Sequence, residues 1–121
     1  VMQIINERPE GFMVISGDDN LTFPMLALGG DGVISVSGQA FPAVFTEMVR
    51  KGLAGDFTAA RPLHYRLFDI TNMLFEEGNP GGVKACLDIQ NIMQPYMRQP
   101  LWPISNELRK RLELEIEKHG L

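Results

Sequence analysis

Two adjacent carboxylates follow the first apolar run of the sequence and are its most suggestive functional groups. Asp18 and Asp19 belong to the turn Ser16–Asn20. Parallel α/β folds place ligand sites at the carboxyl ends of strands, so we expect Gly17 and Asp18 to line such a site. A simpler role for Asp19 or Asn20 is to cap the following helix. A metal site is not indicated, because neighbouring side chains diverge and no third ligand is in view.

The other side chains with catalytic potential have simpler explanations. His64 and His119 are expected at the surface rather than as general bases. Cys86 has no histidine spaced to activate it, so we expect a buried, inert thiol. Lys84 is the one lysine with apolar residues on both sides. An unprotonated lysine in an apolar pocket can form an imine, but we expect this amine to reach solvent or bind a backbone carbonyl.

A strand–helix–strand unit must position the Ser16–Asn20 turn. The run Phe12–Ile15 is short and apolar, and the run Val33–Val36 is short and rich in β-branched residues, as in buried parallel strands. The apolar helix Leu21–Leu28 connects them, and such crossovers are almost always right-handed. Parallel strands of this kind indicate an α/β fold. Two strands alone do not make a stable sheet in water, so the unit is incomplete as it stands.

The sequence after the second strand is predicted to be helical. Asp56 is the expected N-cap of a helix over Phe57–Phe75, which Pro62 should bend or shorten because proline lacks an N–H. Ser105 is the expected N-cap of a charged final helix over Asn106–Lys118. Most helices of the chain therefore lie beyond the strands.

Composition and charge indicate which partners and which compartment to expect. The 121 residues carry 11 Lys and Arg against 15 Asp and Glu, and 45% are hydrophobic, as in globular domains. The net charge of −4 argues against a nucleic-acid partner. No apolar run approaches the ~18–20 residues of a membrane helix, so we expect no membrane partner. The single cysteine fits a reducing compartment, and we expect a cytoplasmic location.

Four ordered segments carry a resemblance to a known family. They are Ser16–Asp19, Gly32–Val36, Asn79–Lys84 and Arg98–Pro103. Together they resemble the carboxyl-terminal half of the dihydrodipicolinate synthase (4-hydroxy-tetrahydrodipicolinate synthase) family, the pyruvate-dependent class I aldolases. The resemblance covers essentially the whole chain.

The resemblance implies a (β/α)8 TIM barrel with a helical carboxyl-terminal extension. Residues 1–55 would be the last βα units, with strands 7 and 8 only, and Val1–Arg8 the tail of the sixth helix. Residues 56–121 would be the extension, which packs on the barrel and is not an independent domain. A barrel needs about 250 residues, so we expect the chain to be a fragment.

The same resemblance implies a lyase of lysine and diaminopimelate biosynthesis that condenses pyruvate with aspartate semialdehyde. Pyruvate would be held as a Schiff base on a lysine, with no other cofactor and no metal. That lysine and the family's tyrosine are expected upstream of Val1, so the chain would hold no catalytic residue and be inactive alone. Gly17, Asp18 and Asp19 would line the second-substrate side, and the Ile34 carbonyl would face pyruvate.

Two alternatives to this function stay open. The segment Gly38–Ala40 departs from the pattern of many synthases, so the parent enzyme could be a related pyruvate aldolase that acts on a sugar acid. A non-catalytic α/β interaction module would instead be a monomer with a complete core. A half-barrel should leave the strand faces at Ile15 and Ile34 partly uncovered. The apolar helix Leu21–Leu28 suggests a subunit interface, and the family suggests a homotetramer.

Overall fold

Helices dominate the computed structural model, which describes all residues Val1–Leu121. In chain order the elements are α1 (Met2–Glu7), β1 (Ile15–Ser16), α2 (Asp19–Ala27), β2 (Gly32–Val33), α3 (Ser37–Ala40), α4 (Pro42–Leu53), α5 (Phe57–Glu76), α6 (Gly81–Ile89) and α7 (Asn106–His119). None of these helices combines the length and the apolar character needed to cross a membrane.

The two strands pair in parallel around the crossover helix α2, as the sequence predicts. Ile15 lies opposite Gly32, and Ser16 lies opposite Val33. Backbone hydrogen bonds extend this pairing by one residue beyond each end of β2, to Asp31 and Ile34. The strands are shorter than the predicted apolar runs, because each has a partner on one side only.

The apolar faces next to this strand pair are not covered by the chain. Phe12 is 56% exposed and Ile34 is 79% exposed, while Met13 and Ile15 are also exposed. Side chains of this size are ordinarily buried in parallel sheets, which carry helices or a barrel interior on both faces. The sheet therefore lacks both further strands and a packed interior, as expected of a half-barrel.

The hydrophobic core lies among the helices α3 to α7. Its buried members are Ala40, Phe41, Phe45, Met48, Ala60, Leu67, Ile70, Leu74, Val83, Ala85, Cys86, Leu108 and Leu112. Their spacing on α5 and α7 is that of one apolar stripe per helix, which buries when the helices pack side by side. This core holds α5 in place beside α2 and thereby sets the position of the turn after β1.

The ends of two long helices follow local sequence signals. Asp56 Oδ1 accepts a hydrogen bond from Ala59 N at 3.1 Å, and Ser105 Oγ accepts one from Leu108 N at 3.1 Å. Both residues are thus N-caps, which confirms the predictions. The helix α5 extends through Pro62 without a break.

His64 is buried, so the prediction of a surface histidine is wrong. Its side chain is 8% exposed and stacks on Phe23, with ring centroids 5.2 Å apart. Its position on α5 explains this: His64 falls four residues after Ala60 and three before Leu67, on the buried stripe of the helix. Burial lowers the pKa of His64 below its usual 6.5.

The buried imidazole predicts a loss of stability in mild acid. The pKa of His64 is lower in the folded state, so the unfolded state takes up the proton first. This contribution to stability is complete above about pH 6.5 and is lost as the pH falls toward the folded-state pKa. We expect the free energy of unfolding in urea to fall between pH 7.5 and 5.5. His64→Phe should flatten this slope and His119→Gln should retain it; equal slopes in all three proteins would contradict the assignment.

A close approach of α6 to α5 predicts that Gly82 tolerates no side chain. A Cβ atom at Gly82 would lie 2.6 Å from the Leu74 Cα, inside van der Waals contact with the backbone. We expect Gly82→Ala to lower the free energy of unfolding by about 1–3 kcal/mol, the usual cost of overpacking. Gly17→Ala is the control, because nothing lies within 4 Å of its Cβ position. Equal denaturation midpoints for the two variants would refute this packing.

Candidate functional site

An open groove of about 320 Å³ lies at the carboxyl end of β1, between the first turn of α2 and the helix α5. Its lining residues are Gly17, Asp18, Asn20, Leu21, Thr71, Asn72 and Phe75. Two of the residues that the sequence predicts for a site, Gly17 and Asp18, therefore lie together on its rim.

Asp18 both caps α2 and lines the groove. Its Oδ1 accepts a hydrogen bond from Leu21 N at 3.1 Å, while its backbone carbonyl accepts from Ser16 Oγ and Thr22 Oγ1. The N-cap is thus Asp18, and the prediction of Asp19 or Asn20 is wrong. The reason is that the backbone of Asp18 is still extended, with the helix beginning at the next residue. Since only Oδ1 is used by the cap, Oδ2 can meet a ligand.

Asp19 is turned away from the groove and is only 4% exposed. Its Oδ2 accepts three hydrogen bonds, from Val36 N at 3.1 Å, Ser37 N at 2.9 Å and Ser37 Oγ at 3.0 Å. Its Oδ1 is buried without a hydrogen-bond partner. The carboxylate therefore ties the turn after β1 to the segment after β2. Of the two adjacent carboxylates, Asp18 alone lies on the groove.

The second wall of the groove comes from α5 and was not identified from the sequence. Asn20 Nδ2 donates a hydrogen bond to Asn72 Oδ1 at 2.7 Å, which leaves the Asn20 Oδ1 as an acceptor and the Asn72 Nδ2 as a donor. Thr71 and Phe75 complete this wall. Helical spacing places these α5 residues near one another. Only tertiary packing brings them to the turn after β1.

Ile34 lies at the end of β2, on the same edge of the sheet as the turn after β1. Its backbone N donates a hydrogen bond to Ser16 O at 2.9 Å, and its side chain is largely exposed. Ile34 is not among the residues that line the groove. The structure thus places it beside Ser16, next to the site.

The remaining reactive side chains lie elsewhere and are occupied. Cys86 is fully buried, and burial raises the pKa of its thiol to about 12, which confirms an inert cysteine. Lys84 Nζ donates a hydrogen bond to Tyr96 O at 2.5 Å, as expected. His119 pairs with Glu115 at 2.8 Å. No group of three His, Cys, Asp or Glu side chains is placed to hold a metal ion.

The groove lies at the carboxyl end of β1 and between helices, which is where α/β proteins commonly carry their ligand sites. Residues 1–119 match the family model described as the dihydrodipicolinate synthetase family. The chain belongs to this family. It is 43% identical over 113 residues to the 4-hydroxy-tetrahydrodipicolinate synthase of Flavobacterium psychrophilum, covering 93% of this chain and 39% of that relative.

Solved structures of the same enzyme class share the fold. The crystal structure of dihydrodipicolinate synthase from Aquifex aeolicus superposes with a TM-score of 0.93 at 40% identity, covering 99% of this chain and 41% of that one. The chloride-inhibited enzyme from Acinetobacter baumannii complexed with pyruvate has a TM-score of 0.90 at 30% identity, covering 98% and 41%. The chain thus spans about two fifths of the length of these TIM-barrel relatives.

The double position of Asp18 predicts that its structural role can be separated from any ligand role. Asp18→Ala removes the N-cap of α2 and should lower the free energy of unfolding by about 1 kcal/mol. Asp18→Ser keeps an N-cap oxygen without the charge and should retain most of that stability. Urea denaturation of both variants checks this. An Asp18→Ser protein as unstable as Asp18→Ala would contradict the capping role.

Proposed function

We propose that the chain is the carboxyl-terminal part of a (β/α)8 barrel, in which β1 and β2 are strands 7 and 8. Residues 56–121 are then the helical extension that packs on the barrel. The parallel pairing, the uncovered strand faces and the coverage of about two fifths of the relatives support this placement. The groove lies at the carboxyl end of a strand, where barrel enzymes carry their sites.

The proposed activity of the complete barrel is that of a 4-hydroxy-tetrahydrodipicolinate synthase, a lyase of lysine biosynthesis. A lysine amine condenses with the pyruvate ketone, and water leaves. The resulting imine withdraws electrons, so that the pyruvate methyl loses a proton and the imine becomes an enamine. The enamine carbon then attacks the carbonyl carbon of aspartate semialdehyde, whose oxygen takes up a proton. The imine that re-forms frees the lysine when the substrate's own amine adds to it and displaces it. The imine supplies the electron sink, so the scheme uses no further cofactor.

The imine-forming amine is proposed to lie on a segment other than this chain. An imine-forming lysine must be unprotonated and close to the bound ketone. Lys51 pairs with Glu47, Lys118 pairs with Glu115, and Lys84 binds the Tyr96 carbonyl. None of the four lysines of the chain lines the groove. The chain alone should therefore be inactive.

The groove is proposed to receive the second substrate. Gly17 permits close approach of the ligand, because nothing lies within 4 Å of its Cβ position. The free Oδ2 of Asp18 attracts the ammonium group of aspartate semialdehyde. Ile34 is proposed to present its backbone carbonyl to pyruvate, and Asp19 belongs to the site through its contacts behind the groove. These roles are positioning rather than proton transfer.

The partners are proposed to be these two small substrates and further copies of the complete enzyme. Leu21 on α2 and Leu28 directly after it expose apolar surface, in keeping with a subunit interface. The acidic chain offers no support for a nucleic-acid partner. A cytoplasmic location fits the single reduced cysteine.

Borohydride trapping tests the proposal directly. Incubation with pyruvate and sodium borohydride should leave the mass of the isolated chain unchanged, because its lysines are occupied or lie away from the groove. A chimera in which this chain replaces the matching part of the Aquifex aeolicus synthase should gain one reduced pyruvyl group under these conditions. Without borohydride, the same chimera should consume aspartate semialdehyde in the presence of pyruvate. A pyruvyl adduct on the isolated chain, or a folded chimera that forms no adduct, would refute the proposal.

A further inference from the structure

A chain of three buried side chains runs behind the groove and joins elements that are distant in sequence. Asp19 follows β1, Ser37 begins α3, and Thr71 lies on α5. Ser37 Oγ lies 3.0 Å from Asp19 Oδ2 and 2.9 Å from Thr71 Oγ1. All three residues are almost fully buried. A polar network in the interior constrains its members strongly, because an unmade hydrogen bond there costs free energy.

The chemistry of the groups fixes the direction of each hydrogen bond. An ionised carboxylate only accepts, and a hydroxyl donates one proton. The Ser37 hydroxyl donates to Asp19, so the Thr71 hydroxyl must donate to Ser37. The Asp19 carboxylate thus orients both hydroxyls, and the last of them belongs to a residue that lines the groove.

The same carboxylate also fixes the backbone after β2. Asp19 Oδ2 accepts from the N–H groups of Val36 and Ser37, which follow Ile34 by two and three residues. Hydrogen bonds to a charged acceptor are shorter and stronger than neutral ones. Asp19 therefore fixes the segment that follows Ile34, the residue next to the groove.

We propose that Asp19 is a positioning residue: through Ser37 and Thr71 its carboxylate holds the turn after β1, the segment after β2 and the α5 wall of the groove in one arrangement. The effect on KM that we expect from this role rests on the proposed function. It gives the buried carboxylate a role different from that of Asp18, which meets the groove directly.

Kinetics of the Aquifex chimera separate this role from a general loss of folding. Ser37→Ala and Thr71→Val each break the hydroxyl chain and should raise KM for the aldehyde about tenfold, with a smaller change in KM for pyruvate. Thr71→Ser should recover most of the loss. The double variant Ser37→Ala/Thr71→Val should be no worse than Ser37→Ala, because both changes break one network. The proposal would be overturned if Thr71→Val and Thr71→Ser raised KM for the aldehyde equally. It would also be overturned if the increases caused by Ser37→Ala and Thr71→Val multiplied in the double variant.

Asp19→Asn tests the carboxylate itself, with Asp56→Asn as the matched control. Asparagine lacks the negative charge that attracts the three hydrogen-bond donors of Val36 and Ser37. It also places an amide N–H₂ at the position of Oδ1, which has no partner. We expect faster amide hydrogen exchange at Val36 and Ser37, and a higher KM for both substrates. Asp56→Asn should change neither. Unchanged exchange at these two amides would refute the positioning role.

The two proposals fail in different ways. If the chimera without further substitutions folds but forms no imine, the proposed function is wrong. Amide exchange at Val36 and Ser37 then still decides whether Asp19 holds that segment. An active chimera in which the Asp19 and Ser37 variants behave normally defeats only the positioning role.

Discussion

The backbone of a parallel strand needs a partner on each side, and its two faces need cover from other elements. In this chain β1 and β2 satisfy each other along one edge only, and apolar side chains such as Phe12 and Ile34 remain exposed. Unpaired edges and exposed apolar faces are costly in water. The chain spans about two fifths of the length of its barrel relatives. If the remaining strands of the barrel cover these edges and faces, the chain alone should leave them exposed. The single paired edge of each strand also explains why the strands are so short.

The helical part, unlike the strand pair, buries a hydrophobic core of its own. Its core is continuous from α3 to α7, and its ends are tied by specific polar contacts. Arg66 donates hydrogen bonds to the carbonyls of His119 and Gly120 at the end of α7. Ser105 donates to the Glu77 carboxylate, which lowers the pKa of Glu77. The packed helical part thus places α5 beside the turn after β1, and the groove lies between them.

Local signals predicted the parts of the structure that depend on neighbours in sequence. The strand–helix–strand order and the caps at Asp56 and Ser105 are of this kind. The choice between Asp18 and Asp19 as N-cap was not predictable in this way. Both residues are aspartates, which cap helices equally well, and the outcome depends on where β1 ends. The α5 wall was missed for a related reason: Asn20 and Asn72 are 52 residues apart, and only packing joins them. The burial of His64 was available from the periodicity of α5.

In the proposed barrel the strand pair is an open arc that strands outside this chain complete. Amide hydrogen exchange at Met13 and Ile15, compared between the isolated chain and the Aquifex chimera, tests it most directly. The account predicts rapid exchange in the isolated chain and strong protection in the chimera, because neighbouring strands then pair with these amides. Strong protection already present in a monomeric isolated chain would contradict it.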